Sequence, residues 1–186
     1  MPLNKGAAYR TVRRMAPSRK WHILKGAVHV TAEDLQRVRR NILTQPRDCV
    51  INPDQLRLQK RIPRSDELVA RMEEALRSNG YLDDKSLRTP VILHSLAGCS
   101  QQQWHLDFQP NPASDTNPMG ALLALEANTR FETRKRTLEL DVGDLLVFDG
   151  GLVHAGAAYR DDNTRLHAYL YPRGGRRLPN QIFLVL

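Results

Sequence analysis

Thr164-Arg165-Leu166-His167-Ala168-Tyr169-Leu170-Tyr171 is the stretch on which the fold turns. In an extended chain successive side chains leave opposite faces, so Arg165, His167, Tyr169 and Tyr171 share one face and Leu166, Ala168 and Leu170 the other. A strand that is polar and aromatic on one side and aliphatic on the other needs a different environment on each. If Arg165 points into the space between two sheets, the leucines point outward and must be covered by other apolar elements.

The rest of the chain supplies both environments. Strands are predicted at 91–96, 102–108, 121–126, 136–140, 145–148, 153–157 and 164–171, separated by clusters of Gly, Pro, Asn and Asp. Upstream, residues 21–24 and 27–30 read as short strands around Gly26. Thr31, with Asp34 three residues on, forms an approximate capping box and opens a helix whose apolar face is Leu35, Val38, Ile42 and Leu43. Residues 45–63 contain three prolines and are expected to cross irregularly. Ser65 is expected to cap a second helix with Asp66 and Glu67 in its first turn, a buried stripe of Leu68, Met72, Ala75 and Leu76, and an end at Gly80. Helices first and strands afterwards predict an α+β, mainly β fold: a double-stranded β-helix (jelly roll, cupin-like) with the N-terminal helices packed on one sheet.

A chain of 186 residues suits one domain with one core. The net charge of +8 is uneven, because Lys5, Arg10, Arg13, Arg14, Arg19, Lys20 and Lys25 all precede the first acid, Glu33. Residues 1–20 are therefore read as a flexible basic arm and 21–186 as a single domain. The arm suits a solvated terminus, attachment to nucleic acid or anionic membrane, or an organelle transit segment. Two cysteines, Cys49 and Cys99, are too few for a disulfide framework and favour a reducing, intracellular and cytoplasmic setting. No apolar run is long enough to span a membrane. Oligomeric state is not legible.

Candidate chemistry lies in Trp104-His105-Leu106-Asp107 and, downstream, in Asp149-Gly150-Gly151-Leu152-Val153-His154-Ala155-Gly156. On a strand His105 and Asp107 leave the same face and can grip one metal, with His154 closing the site from a distant strand. Two imidazoles and a carboxylate leave the opposite coordination positions of Fe(II) open. The same alternation places Gln103 and Gln109 beside them, and four polar groups inside a barrel need metal, water or substrate to satisfy them. Arg165 offers a planar fork for a carboxylate, or an ordinary ion pair with Asp161 or Asp162. His94 and His167 read as core or supporting residues. Residues 109–118, polar and proline-rich, read as a substrate lid or a solvent-facing loop. Arg173, Arg176 and Arg177 fit an anionic substrate or a solvated terminus.

His-x-Asp, a distal His and an Arg eleven residues past it resemble the Fe(II)- and 2-oxoglutarate-dependent dioxygenases, in particular the phytanoyl-CoA-type and prolyl-hydroxylase-type branches. Gly143-Asp144-Leu145-Leu146-Val147-Phe148-Asp149 strengthens the likeness, which spans residues 90–172. The resemblance implies Fe(II) held by His105, Asp107 and His154, 2-oxoglutarate as cosubstrate anchored by Arg165, and O2 as oxidant. It further implies release of succinate and CO2 and hydroxylation of a small-molecule or peptidyl substrate. Phytanoyl-type members commonly carry a hydroxyl residue two positions after the distal His, where this chain has Gly156. Gln103 and Tyr169 are the candidates for further cofactor contacts, with Tyr171 as another and with a ring filling the barrel floor as the alternative role for either tyrosine. The competing readings are a nucleic-acid dealkylase of the same superfamily and a non-catalytic cupin-like metal-binding protein. The dealkylases typically have a second arginine six residues after the first, where this chain has Tyr171.

Overall fold

The computed structural model describes residues 20–44, 47–48, 56–109, 118–173 and 183–185. In chain order the elements are β1 (Trp21–Leu24), α1 (Ala32–Leu43), β2 (Arg47–Asp48), β3 (Arg57–Arg61), α2 (Glu67–Ser78), β4 (Lys85–Ser95) and β5 (His105–Leu106). They continue with β6 (Met119–Ala124), β7 (Thr129–Thr133), β8 (Thr137–Leu140), β9 (Leu145–Asp149), β10 (His154–Gly156), β11 (Asn163–Pro172) and β12 (Phe183–Leu184).

Two antiparallel sheets result. The larger has the order β1-β9-β6-β11-β4-β3-β2 and the smaller β12-β5-β10-β7-β8. The central strands of the larger sheet are covered on both faces, which is why β6 and β9 read as nearly continuous apolar runs. Leu123, Leu145, Val147, Leu166, Ala168 and Leu170 join Val38, Ile42, Leu68, Met72 and Leu76 of the helices in one core. Leu122, Ala124, Leu146 and Phe148 face the other way and meet Phe131, Leu138 and Leu140 of the smaller sheet. The expected alternation of β11 is therefore present, with its leucines under the helices.

The capping box of α1 forms as expected: Thr31 accepts from the Asp34 backbone, and Asp34 returns the bond. Leu43, expected on the buried face, is 59% exposed, because the helix ends there and its stripe stops at Ile42. Helix α2 is capped by Asp66, one residue later than expected, since Asp66 N bonds back to Pro63 O and leaves Ser65 inside the preceding turn.

Several strands differ from expectation. Residues 27–30 are not a strand: Gly26 has φ +54°, and the Lys25–Gly26 turn is clamped on the Asp144 carboxylate at 2.7 and 2.8 Å. Within 45–63, expected to be irregular, β3 pairs with β4 in regular register, Arg57 opposite Ser95. β4 starts at Lys85, before Pro90, because a register shift opposite β11 and a positive φ at Thr89 absorb the proline, which has no N–H for the ladder. β7 was not anticipated, and the strand expected at 102–108 shrinks to two residues.

Candidate metal centre

β5 and β10 are paired so that His105 lies directly opposite His154, with ring centroids 4.3 Å apart. The two imidazoles are held alike. His105 Nδ1 lies 2.8 Å from Gln103 O and His154 Nδ1 2.8 Å from Leu152 O, each the carbonyl two residues earlier. A carbonyl only accepts, so each Nδ1 carries the proton and each Nε2 presents a lone pair. His154 is also stacked on Phe131 at 4.8 Å and met by the edge of Phe148 at 5.0 Å, which locks its ring plane.

Asp107 completes the cluster: one ligand atom from each of His105, Asp107 and His154 lies within 4.8 Å of the others. Among the described residues its buried Oδ2 has no hydrogen-bond partner, and it lies 3.9 Å from both His154 Nε2 and His167 Nε2. Tyr169 OH reaches Oδ1 at 3.4 Å, a long contact. Burial pushes the Asp107 carboxyl up, opposed by the nearby His167 and His105. Burial lowers His105, His154 and His167 to about 4, with mutual repulsion between His105 and His154 adding to it at His105. Neutral imidazoles with free Nε2 lone pairs beside a carboxylate oxygen that lacks a donor are the donor set a divalent cation satisfies. The residues fit a resident metal.

Arg165 is buried on the inner face of β11. Its Nη1 donates to Ser95 Oγ at 3.0 Å and reaches Asn163 Oδ1 at 3.4 Å, and its guanidinium lies 5.5 Å from the Tyr159 ring centroid. Among the described residues no carboxylate pairs with it. The ion pair considered from sequence does not form, because Asp162 instead accepts from Ala97 N and lies 3.8 Å from His94 Nε2. A buried guanidinium without an anion is costly, so the position is one that a carboxylate would satisfy.

Other sequence candidates fall differently. Gln103 and Gln109 are exposed, since alternation holds only along paired extended backbone and β5 stops at Leu106. Gln103 contributes its carbonyl to His105. Phe108 meets Tyr169 and Tyr171 edge-on at 5.2 and 5.3 Å. His94, read as a core or supporting residue, is buried and lies 2.8 Å from Thr164 Oγ1 on the outer face. The basic arm up to Arg19, nearly all of the 109–118 loop, and Arg176 and Arg177 lie outside the described residues.

The sequence reading missed Arg57, Ser95 and Gln102. Arg57 is buried, and its guanidinium donates to Ser95 Oγ at 3.0 Å, to Ser100 O at 2.6 Å and to Ala157 O. Gln102 Oε1 accepts from Gly156 N at 3.0 Å. The alternation of Arg57 with Gln59 could have flagged β3, had the flanking prolines not argued for a crossing.

No family model and no curated protein matches the chain in sequence. Solved structures do match in fold. A Pseudomonas putida prolyl-4-hydroxylase superposes with a TM-score of 0.62 at 18% identity, over 84% of this chain and 95% of that one. A prolyl hydroxylase from Trichoplax adhaerens, in complex with a hypoxia inducible factor oxygen degradation domain peptide fragment, gives 0.62 at 12% identity, over 84% and 86%. HygX from Streptomyces hygroscopicus, with nickel and 2-oxoglutarate bound, gives 0.59 at 12% identity, over 82% and 83%. The chain thus has the fold of the iron- and 2-oxoglutarate-dependent oxygenases.

Proposed function

We propose that the protein is an Fe(II)- and 2-oxoglutarate-dependent oxygenase that hydroxylates a C–H bond of a small-molecule or peptidyl substrate. Residues 21–186 act as one domain, with the two sheets closing as a double-stranded β-helix. The observation that carries this reading is the convergence of His105, Asp107 and His154, with Nε2 lone pairs set by backbone carbonyls and an orphaned carboxylate oxygen between them.

His105, Asp107 and His154 would hold Fe(II), and Arg165 would anchor 2-oxoglutarate. The metal with its cosubstrate would supply O2 activation at the cost of 2-oxoglutarate, released as succinate and CO2. The chain's own share is positioning: carbonyls fix the imidazoles, Phe131 and Phe148 fix the His154 ring, and the burial of all three donor residues keeps water from the reacting centre. Tyr169 and His167 flank Asp107 and would orient its carboxylate. No side chain is required as general acid or base.

The dealkylase reading is disfavoured, because Tyr171, in the place of that group's second arginine, packs against Phe108 and Tyr169 in an aromatic cluster. Protein loaded anaerobically with Fe(II) and 2-oxoglutarate is expected to show the visible charge-transfer band of that chelate, and a substrate screen should find stimulated succinate release. A non-catalytic metal-binding protein would bind metal and release no succinate.

A further inference from the structure

The metal-facing side of the larger sheet is sealed at one end and open at the other. Along β4 the residues on that side run from Ser95, fully buried, through Leu93 and Val91, half-buried, to Arg88, exposed. Their outward neighbours Leu87, Ile92 and His94 stay buried along the whole strand, so the loss of cover is confined to the inner face. The opening lies beside the candidate metal centre. Val91 is paired with His167 and Arg88 with Tyr169, and those two partners reach Asp107 at 3.9 and 3.4 Å.

The neighbouring strand adds a second guanidinium to the same open stretch. Arg57 points inward on β3, so Arg61, four residues on, shares its face, while Lys60 turns to the helix side and donates to Asn41 O at 2.7 Å. Arg61 is exposed and lies opposite Val91, which makes it a diagonal neighbour of Arg88 across two adjacent strands. Long side chains in that relation reach one group from two sides. Arg88 Nε donates to Ser86 Oγ at 3.1 Å, and among the described residues no carboxylate pairs with Arg61 or Arg88. Around the helices the arginines are treated differently: Arg37, Arg39, Arg64, Arg71 and Arg77 all have carboxylate partners. Positive charge without a counter-charge is thus placed at the rim of the groove that leads to the metal centre, over a floor of Val91 and the Tyr169 ring.

We propose that the substrate to be oxidised carries an oxyanion, a carboxylate or a phosphate, and that Arg61 and Arg88 are the specificity-determining residues that hold it. The inference rests on the oxygenase reading and supplies the substrate class which that reading leaves open. The oxyanion is separate from the carboxylate held by Arg165, because Arg165 is paired with Leu93, further into the covered part of the sheet. Planar guanidinium forks on two strands match two oxygens of one anionic group. β3 and β11 are two strand spacings apart, about 10 Å, which sets the scale of the separation between the anionic group and the oxidised carbon.

The test is succinate release by the full chain with Fe(II), 2-oxoglutarate and O2, stimulated by a panel of matched pairs. One arm holds N-acetylated amino acids and tripeptides as carboxylates and as their carboxamides, and the other holds phosphoserine tripeptides and their unphosphorylated counterparts. In at least one arm the anionic member is expected to stimulate about tenfold or more above its neutral mate, the scale of a charge-assisted hydrogen bond, and the arm that responds identifies the oxyanion. Arg61→Gln and Arg88→Gln should each lower that anionic-to-neutral ratio severalfold, mainly through KM, since the contact is remote from the reacting carbon and is made equally before and during the reaction. Arg88→Lys keeps the charge but not the fork and should retain part of the ratio. The ratio is taken within one variant, so a partial loss of folded protein cancels. Neutral members that stimulate as well as anionic ones, a panel without any stimulating member, or a ratio that survives in the double glutamine variant overturns the assignment. In each of these cases a wild-type charge-transfer band with Fe(II) and 2-oxoglutarate leaves the oxygenase reading standing, whereas its absence overturns both.

Discussion

Two backbone carbonyls decide what His105 and His154 are able to do. By accepting from Nδ1 they turn each Nε2 lone pair toward Asp107, so the local chain Gln103–His105 and Leu152–His154 builds half of the site. His105→Ala or Asp107→Ala should abolish the anaerobic charge-transfer band, and titration with Fe(II) should show loss of the tight site in both. A band retained in both variants would move the metal elsewhere. Arg165→Ala should leave metal binding intact and weaken 2-oxoglutarate binding by about 2–4 kcal/mol, the range for a buried charge-assisted contact whose partner is stranded. Loss of metal with cosubstrate affinity unchanged would make Arg165 structural. Gly156→Ser adds atoms where Arg57 and Gln102 already sit, so it should destabilise the fold by about 1–3 kcal/mol in urea denaturation, as overpacking does. These residues differ in legibility. His-x-Asp is visible as a spacing within one segment, whereas Ser95 and Arg57 acquire meaning only from their neighbours on other strands.

At the scale of elements, one carboxylate joins the two helices. Asp34 closes the cap of α1 and receives Arg71 Nη2 of α2 at 2.7 Å on both oxygens, with Arg37 at 3.4 Å. Burial is the largest single influence on Asp34 and raises its pKa. The donors from Arg71 and Thr31 together outweigh burial and hold the carboxyl well below its ordinary value of 3.8. Its folded value is depressed, so its stabilisation is complete above the unfolded value of 3.8 and is lost as pH falls through the lower folded one. Asp34→Asn should therefore cost about 2 kcal/mol at neutral pH, less than a fully buried pair because Arg71 is partly exposed. The difference from wild type should shrink in acid as the native carboxyl protonates. A gap that stays constant from neutral pH down to the acid limit of folding would contradict this account. The cap was readable because Thr31 and Asp34 are three residues apart. The bulge that carries β4 past Pro90 was not, since a proline signals only that a ladder bond is missing and not how the partner strand accommodates it.

At the scale of the whole molecule, β1 closes the edge of the larger sheet by pairing with β9 from Trp21↔Phe148 to Leu24↔Leu145. The Lys25–Gly26 turn then pins Asp144 at the start of that strand. A variant lacking residues 1–19 should retain its cooperative unfolding, metal binding and cosubstrate turnover, because every contact just named lies after that point. Removing residues 1–26 should instead lower the melting temperature sharply by exposing the β9 edge and freeing a buried carboxylate. Any attraction of the basic N-terminal residues for nucleic acid should fade as salt rises past the physiological range. If the shorter deletion kept succinate formation but lost coupling to substrate, those residues would have a recognition role.

What the amino-acid sequence determined by itself was whatever depends on short-range periodicity. The alternation of β11, the apolar stripes of α1 and α2, the cap at Thr31 and the pairing of His105 with Asp107 all follow from side chains spaced two, three or four residues apart, and local backbone geometry converts that spacing into a face. Tertiary structure alone decided the rest. Which residues of 102–108 remain in a strand depends on β10 and β12 on either side. Arg57 sits beside Ser95 because β3 joins the sheet across a segment whose prolines argue locally for irregularity. Gln103 lies outside and Ser95 inside because sheet pairing across distant segments, and not sequence distance, selects which polar groups are taken out of water together.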